Sequence, residues 1–158
     1  MKFSIATQSF YAPDLQFGAS IPVDAIEIEQ SVADELFQAI NNGAHVYADS
    51  GVLKASEPRP DKYHSWDEAA NIWVITDAAI EQKLQDAVEL VEQQKSALRQ
   101  TADAEIDWRQ DALDSGIATE EEAAELAAWK TYRVMLMRVD TSKAPDIEWP
   151  TPPAVQAR

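Results

Sequence analysis

The chain contains no cysteine. Disulfides, thiolate zinc sites and cysteine nucleophiles are therefore excluded, and a reducing compartment suits it. Glycine occurs four times, widely scattered, so there is no glycine-rich loop to cradle a phosphate and ATP-driven work is not expected. Histidine occurs twice, at His45 and His64, with no HxH or HxxxH pair. A metal reading of His64 would recruit Asp61 and Asp67, but an ordinary turn or strand histidine explains it as well. No serine sits in a GxSxG elbow or beside a recognisable base, so the chain is read as no enzyme, without catalytic residues, metal or cofactor. Long apolar runs are missing too: nowhere do ~18 apolar residues follow one another, and no membrane span is expected. Met1-Lys2-Phe3-Ser4-Ile5 does not open a signal peptide, and the expected location is the cytoplasm. Positive charge is scarce, with 13 Lys and Arg against 28 Asp and Glu and a net charge of −15. Such a balance argues against nucleic acid and anionic membranes as partners.

What is present is helix-forming sequence. Asp77 to Asp114 has neither glycine nor proline and is dominated by Ala, Glu, Gln, Leu, Lys and Arg. As one helix it would span ~55 Å at ~1.5 Å per residue. One seam reads Ile80, Leu84, Ala87, Val91, Gln94, Leu98, Thr101, Glu105, Trp108, Ala112, the heptad spacing of a helix packed on another helix. Gln94, Thr101 and Glu105 in that seam predict loose, solvated or polar packing. Gly116 followed by Ile117 is written as a Schellman stop. Thr119-Glu120-Glu121-Glu122 then fits a capping box with three acids at the positive end of a second helix. That helix runs through Leu126, Trp129, Leu136 and Met137, and the whole forms a helical hairpin.

The N-terminal half has strand character. Lys2 to Phe10 is β-rich, and Pro13, Gly18 and Pro22 mark a loop. Ala25-Ile26-Glu27-Ile28-Glu29 alternates as a strand with one buried face. A short helix, Val32 to Ile40, would bury Leu36, Phe37 and Ile40 before Asn41-Asn42-Gly43 stops it. His45–Ala48 and Val52–Lys54 read as a hairpin across Asp49-Ser50-Gly51. Glu57-Pro58-Arg59-Pro60-Asp61 reads as an exposed linker, and Tyr63–Trp66 with Ile72–Ile75 as a second hairpin. The expected fold is thus α+β: a β-rich domain over residues 1–76, the helical hairpin over 77–140, and a tail over 141–158. The tail is extended through Pro153 and disordered over Ala154–Arg158.

One region departs from the acidic background. Trp129, Lys130, Tyr132, Arg133, Met135, Met137 and Arg138 gather residue types that are enriched at the centres of protein interfaces. The apolar members also suit packing on the long helix, and Arg133 and Arg138 could equally pair with its acids. Trp149, among Pro145, Pro150, Pro152 and Pro153, belongs to a stiff tail that can dock on a neighbour or on its own helices at low entropic cost. Trp129, Tyr132, Arg133, Arg138 and Trp149 are accordingly the candidate partner-binding residues.

Gly116-Ile-Ala-Thr-Glu-Glu-Glu, Ala128-Trp-Lys-Thr-Tyr-Arg-Val-Met-Leu-Met-Arg-Val-Asp and Ala144-Pro-Asp-Ile-Glu-Trp-Pro-Thr-Pro-Pro153 resemble the C-terminal signature of the phage tail fibre assembly proteins of caudoviruses and their prophages. More loosely, Val23-Asp-Ala-Ile-Glu-Ile, Asn42-Gly43, Ala48-Asp49-Ser50-Gly51, Pro58/Pro60 and Trp73-Val-Ile-Thr-Asp resemble the family's first domain. The resemblance implies a protein encoded beside a tail fibre gene. It implies a chaperone without cofactor that acts in the host cytoplasm on the C-terminal, receptor-binding end of a trimeric fibre protein. The alternative is a structural protein that stays at the fibre tip of the virion and touches the host receptor.

Overall fold

The computed structural model describes residues 1–15 and 20–153, and the chain divides into two compact units, Met1–Ile80 and Glu81–Arg158. Gly18 and the tail end at Ala154–Arg158, expected as loop and disorder, lie outside the described residues. The fold is α+β, with short antiparallel strands followed by a long helix and a returning one.

In the first unit, β1 (Lys2–Ser4) lies between β2 (Ser9–Tyr11) and β3 (Ile26–Glu27), both antiparallel to it. The strand expected over 25–29 is thus shortened to two residues, both exposed. Its apolar contact comes from Ile28, just beyond the ladder. Helix α1 (Gln30–Asn41) buries Ala33 and Leu36 and lays Leu36 on Phe3 and Val46, with Val32 and Ile40 at the edge of that core. Phe37, expected inside, is half exposed and meets the edge of Phe10 at 6.0 Å between ring centroids. Strands β4 (Val46–Asp49) and β5 (Val52–Ala55) pair across Ser50 and Gly51, both at positive φ, as a two-residue hairpin turn demands. Gln8 joins this hairpin to the first sheet. Its side-chain amide accepts from Val46 N–H and donates to Val46 C=O, both at 2.8 Å, as a neighbouring strand would.

The second hairpin pairs β6 (Ser65–Asp67) with β7 (Ile72–Val74), so the expected ladder is shorter and moved toward its turn. Trp66 and Trp73 face each other across it, and His45 stacks on Trp66 at 4.6 Å. Burial holds the His45 pKa below the ordinary histidine value, against the pull of Glu68. The proline segment between the hairpins has no regular structure but is not a free linker. Arg59 N–H donates to Gly43 C=O, and the Trp73 indole donates to Glu57 C=O, each at 2.8 Å.

In the second unit, α2 (Asp77–Asp114) and α3 (Glu120–Met137) form the hairpin. Gly116, at φ +72°, donates to Leu113 C=O and Ile117 to Ala112 C=O, the paired bonds of a Schellman stop. Thr119 accepts from Glu122 N–H while the Glu122 carboxylate accepts from Thr119 N–H, completing the capping box. At ~1.5 Å per residue α3 is about half as long as α2, so only part of α2 can be covered. Ala102 and Ile106 of α2 meet Leu126, Trp129, Tyr132 and Leu136 of α3 in one buried cluster.

The buried stripe of α2 keeps to the predicted heptad seam at Val91 and Leu98 and leaves it farther on. Val91, Ala102, Ile106 and Arg109 are buried, whereas Thr101 is exposed and Ile80 and Leu84 are each about half exposed. An undistorted helix turns once per 3.6 residues and drifts by ~20° per heptad. Over the length of α2 that drift carries Thr101, Glu105 and Trp108 off the seam and brings in their C-terminal neighbours. Arg109, the last of these, is 4% exposed. Its guanidinium donates to Glu125 of α3 through Nε (2.9 Å) and Nη2 (2.6 Å) and pairs with Glu105 on its own helix. The Trp108 ring lies 4.1 Å below it. Burial opposes the Arg109 charge, but the two carboxylates outweigh it and its pKa is raised.

Removing one partner of a buried ion pair leaves the other uncompensated. Arg109→Ala is therefore expected to lower unfolding stability by about 3 kcal/mol, measured by urea denaturation. Arg109→Met combined with Glu125→Leu should lose clearly less, and equal losses would contradict the pairing. Acid is expected to act through Asp103 and Asp140, whose pKa values lie below the ordinary 3.8 because Arg133 and Ser142, respectively, hydrogen-bond their charged forms. A depressed carboxylate contributes stability above its unfolded pKa and loses it as pH falls through the folded one. The second unit's melting temperature should hold down to about pH 4 and fall below it. Asp103→Asn and Asp140→Asn together should flatten that fall.

Candidate partner-binding site

Among the described residues, no group of three or more His, Asp or Glu side chains is arranged to hold a metal, and no helix is long and apolar enough to cross a membrane. His64 Nδ1 is paired with Asp61 at 2.7 Å. A concave surface of the second unit lies where α3 ends and the chain turns back.

Three interactions shape that turn. Lys95 of α2 donates to Met137 C=O and Val139 C=O, at 3.2 and 2.7 Å. Those are carbonyls at the end of α3, where a helix presents negative partial charge and where the last turn of α3 has no basic residue of its own. Asp140 then accepts from Ser142 N–H and Oγ–H, starting a short 3-10 turn over Thr141–Lys143 that the sequence does not announce. Finally Trp149 packs, half-buried, against the hairpin cluster. The tail is therefore docked on its own helices. Between it and the end of α3 remains a groove of about 650 Å³, bordered by Met135, Arg138, Lys143, Ile147, Trp149 and Pro150 among others.

The five candidate residues separate on this scaffold. Trp129 and Tyr132 are 1% and 3% exposed, inside the hairpin, with rings in edge contact at 5.7 Å. Expected at a partner surface, they are core residues instead. They fall on the α3 face that meets Ala102 and Ile106, and large aromatics are what such a seam buries. Burial raises the Tyr132 pKa. Arg133 is half-buried and donates to Asp103 of α2 at 2.9 Å, so its charge is partly engaged. Arg138 caps the end of α3 with its side chain exposed, and it borders the groove together with Trp149. The structure thus gathers Arg138 and Trp149 and assigns Trp129, Tyr132 and, in part, Arg133 to the support beneath them. Met135, Lys143 and Ile147 border the same groove, although nothing in the sequence marks them as part of one site. Their contribution depends on the chain turning back at Asp140, which no periodicity signals.

The helical hairpin thus carries a docked tail and, beside it, a shallow groove of mixed apolar and charged lining. Comparison with known proteins is more specific. The family described as Caudovirales tail fibre assembly protein, lambda gpK, matches residues 17–154. The chain belongs to that family, whose members are assembly proteins. It is 49% identical over 92 residues to protein TfaD of Escherichia coli K12, a match covering 58% of this chain and 46% of that protein. It is 46% identical over 96 residues to the tail fiber assembly protein of Escherichia phage lambda, covering 60% of this chain and 46% of that one. The chain thus spans about half the length of these two curated relatives. A probable tail fiber assembly protein of Shigella phage SfV is 31% identical over 160 residues, 96% of this chain and 76% of that protein. No solved structure matches.

If Trp149 holds the tail in place, Trp149→Ala should free it. Limited tryptic digestion is then expected to cut after Arg138 and Lys143 several-fold faster than in the unaltered chain. Unchanged cleavage would mean that the tail is held by something other than Trp149. Arg133→Ala should cost no more than about 1 kcal/mol of stability, the range for a half-exposed ion pair.

Proposed function

We propose that this protein is an ATP-independent chaperone for a phage tail fibre protein, acting on the C-terminal, receptor-binding part of that fibre while three copies assemble. The observation that carries the reading is membership of the tail fibre assembly family, matched over residues 17–154. A fibre trimer is a β structure of high contact order whose strands need partners from other chains. Until those partners arrive, unpaired edges and apolar surfaces persist and aggregate. A protein that binds them transiently favours the trimer by mass action, with no chemistry of its own. The place of action is the host cytoplasm, where fibre chains are made.

Two features of the chain suit the role. The net charge of −15 keeps copies apart in solution and holds an exposed binding surface soluble. The groove beside Arg138 and Trp149 offers both apolar surface and charge, and Met135 on its border is about half exposed. Methionine adapts to irregular partner surfaces at little cost. We place the fibre contact there, with Trp129, Tyr132 and Arg133 holding its shape.

The test is co-expression of the neighbouring fibre gene with and without this chain, scoring soluble, SDS-resistant fibre trimer. Trimer is expected only when both are present, and the two proteins should co-elute from a sizing column. Soluble trimer formed without this chain would remove the chaperone role. A stoichiometric copy of the chain in washed, purified virions would point instead to a resident tip protein.

A further inference from the structure

Gln8 turns the chain from β1 into β2 at φ +51°, a left-handed backbone that strains a residue with a side chain and that glycine would adopt freely. What distinguishes Gln8 at this position is its amide. Oε1 accepts from Val46 N–H, and Nε2 donates to Val46 C=O and to Ile5 C=O, each at 2.8 Å. Both amide hydrogens are thereby committed. The same Nε2 lies 3.4 Å from Nε2 of His45, the residue before Val46. His45 is half-buried, stacked on Trp66 at 4.6 Å and edge-on to Trp73 at 6.2 Å between ring centroids. Its ring is thus confined by both indoles against the N–H edge of an amide.

We propose that Gln8 and His45 form a proton-sensitive latch, closed while the imidazole is neutral and opened when it is protonated. The neutral ring carries its proton on Nδ1 and turns the Nε2 lone pair to the Gln8 amide. A protonated ring places a second N–H there, against a group with no acceptor to offer. Relief comes from turning the Gln8 amide, which strips Val46 of both its bonds. Val46 is fully buried, so its N–H and C=O are left with neither water nor partner. The β4–β5 hairpin then parts from the first sheet, and the core of Phe3, Leu36 and Val46 loosens.

Several groups around the ring bear on its charge. Glu68, in the turn between β6 and β7, pulls toward the cation, and the face of Trp66 does the same. Tyr47 shares Trp66 with His45, Arg59 lies over Trp73 at 5.9 Å, and Asp67 is turned to Ala69 and Ala70 N–H. Burial opposes the charge and outweighs Glu68, which holds the His45 pKa below the ordinary 6.5. The unfolded chain therefore takes up this proton first. The first unit keeps its full stability above about pH 7 and loses it as pH falls below about 6.5. That window lies above the one in which Asp103 and Asp140 act on the second unit. The latch does not depend on which partner the protein binds.

The test is an NMR titration of the full chain between about pH 7.5 and pH 5, following the His45 ring, the Gln8 side-chain amide and the Val46 backbone amide. One shared midpoint below 6.5 is expected, with the protection factor of the Val46 amide falling several-fold at the acid end. The melting temperature of the first unit should drop by several degrees over the same range. His45→Phe, which keeps a flat ring on Trp66, should abolish that drop, and His64→Gln should leave it in place. A ring that titrates while the Gln8 and Val46 amides stay unmoved would overturn the latch, since the bonds would have survived protonation. A midpoint above 6.5 would overturn it too, because the folded unit would then favour the cation. So would a drop in melting temperature that persists in His45→Phe. If that variant does not fold, the titration of the unaltered chain still decides.

Discussion

The second unit depends on how α3 is held against α2, and Arg109 sets much of that. A guanidinium at 4% exposure, clasped by Glu125 from the opposite helix and Glu105 from its own, tolerates little sliding or rotation of one helix on the other. Two carboxylates must stay within hydrogen-bond reach of one planar fork, or a buried charge is left alone. Farther along, Lys95 performs the opposite task, placing a cation on the open carbonyls at the end of α3. The hydrophobic cluster around Trp129 supplies attraction between these points but not register, because apolar packing has no direction. With α3 fixed at both ends, the turn at Asp140 and the docking of Trp149 follow, and the groove exists as their by-product.

The parts legible in the sequence are those written over few residues. Gly116 with Ile117, and Thr119 with Glu122, specify the hairpin turn through bonds spanning five residues or fewer, and each of those bonds is present. The Ser50-Gly51 turn is similarly local. Longer patterns are less legible. Beyond Leu98 the seam of α2 moves by one position because small angular differences accumulate along the helix, and a buried arginine such as Arg109 is invisible to a search for apolar side chains. In the first unit, strands of two to four residues carry too little alternation to fix their ends, which is why Ile26–Glu27 is shorter than the pattern suggests.

The candidate site shows the same division. Residue type alone marks Trp129, Tyr132, Arg133, Arg138 and Trp149, since aromatics and arginines serve interfaces and cores alike. Only the fold separates them, placing the first two inside and leaving Arg138 open beside Trp149. Lys143 carries no mark in the sequence, because it comes to border the groove only once the chain has turned back.

Hydrogen exchange with mass spectrometry, comparing this chain free and in complex with the fibre protein, addresses the central claim most directly: that the groove at the end of α3 is where the partner is held. Backbone amides slow their exchange where a partner excludes water or suppresses local opening. The account predicts added protection over Met135–Trp149, with the hairpin turn at Gly116 unchanged. Added protection confined to the first eighty residues, with the groove exchanging as it does in the free chain, would contradict it.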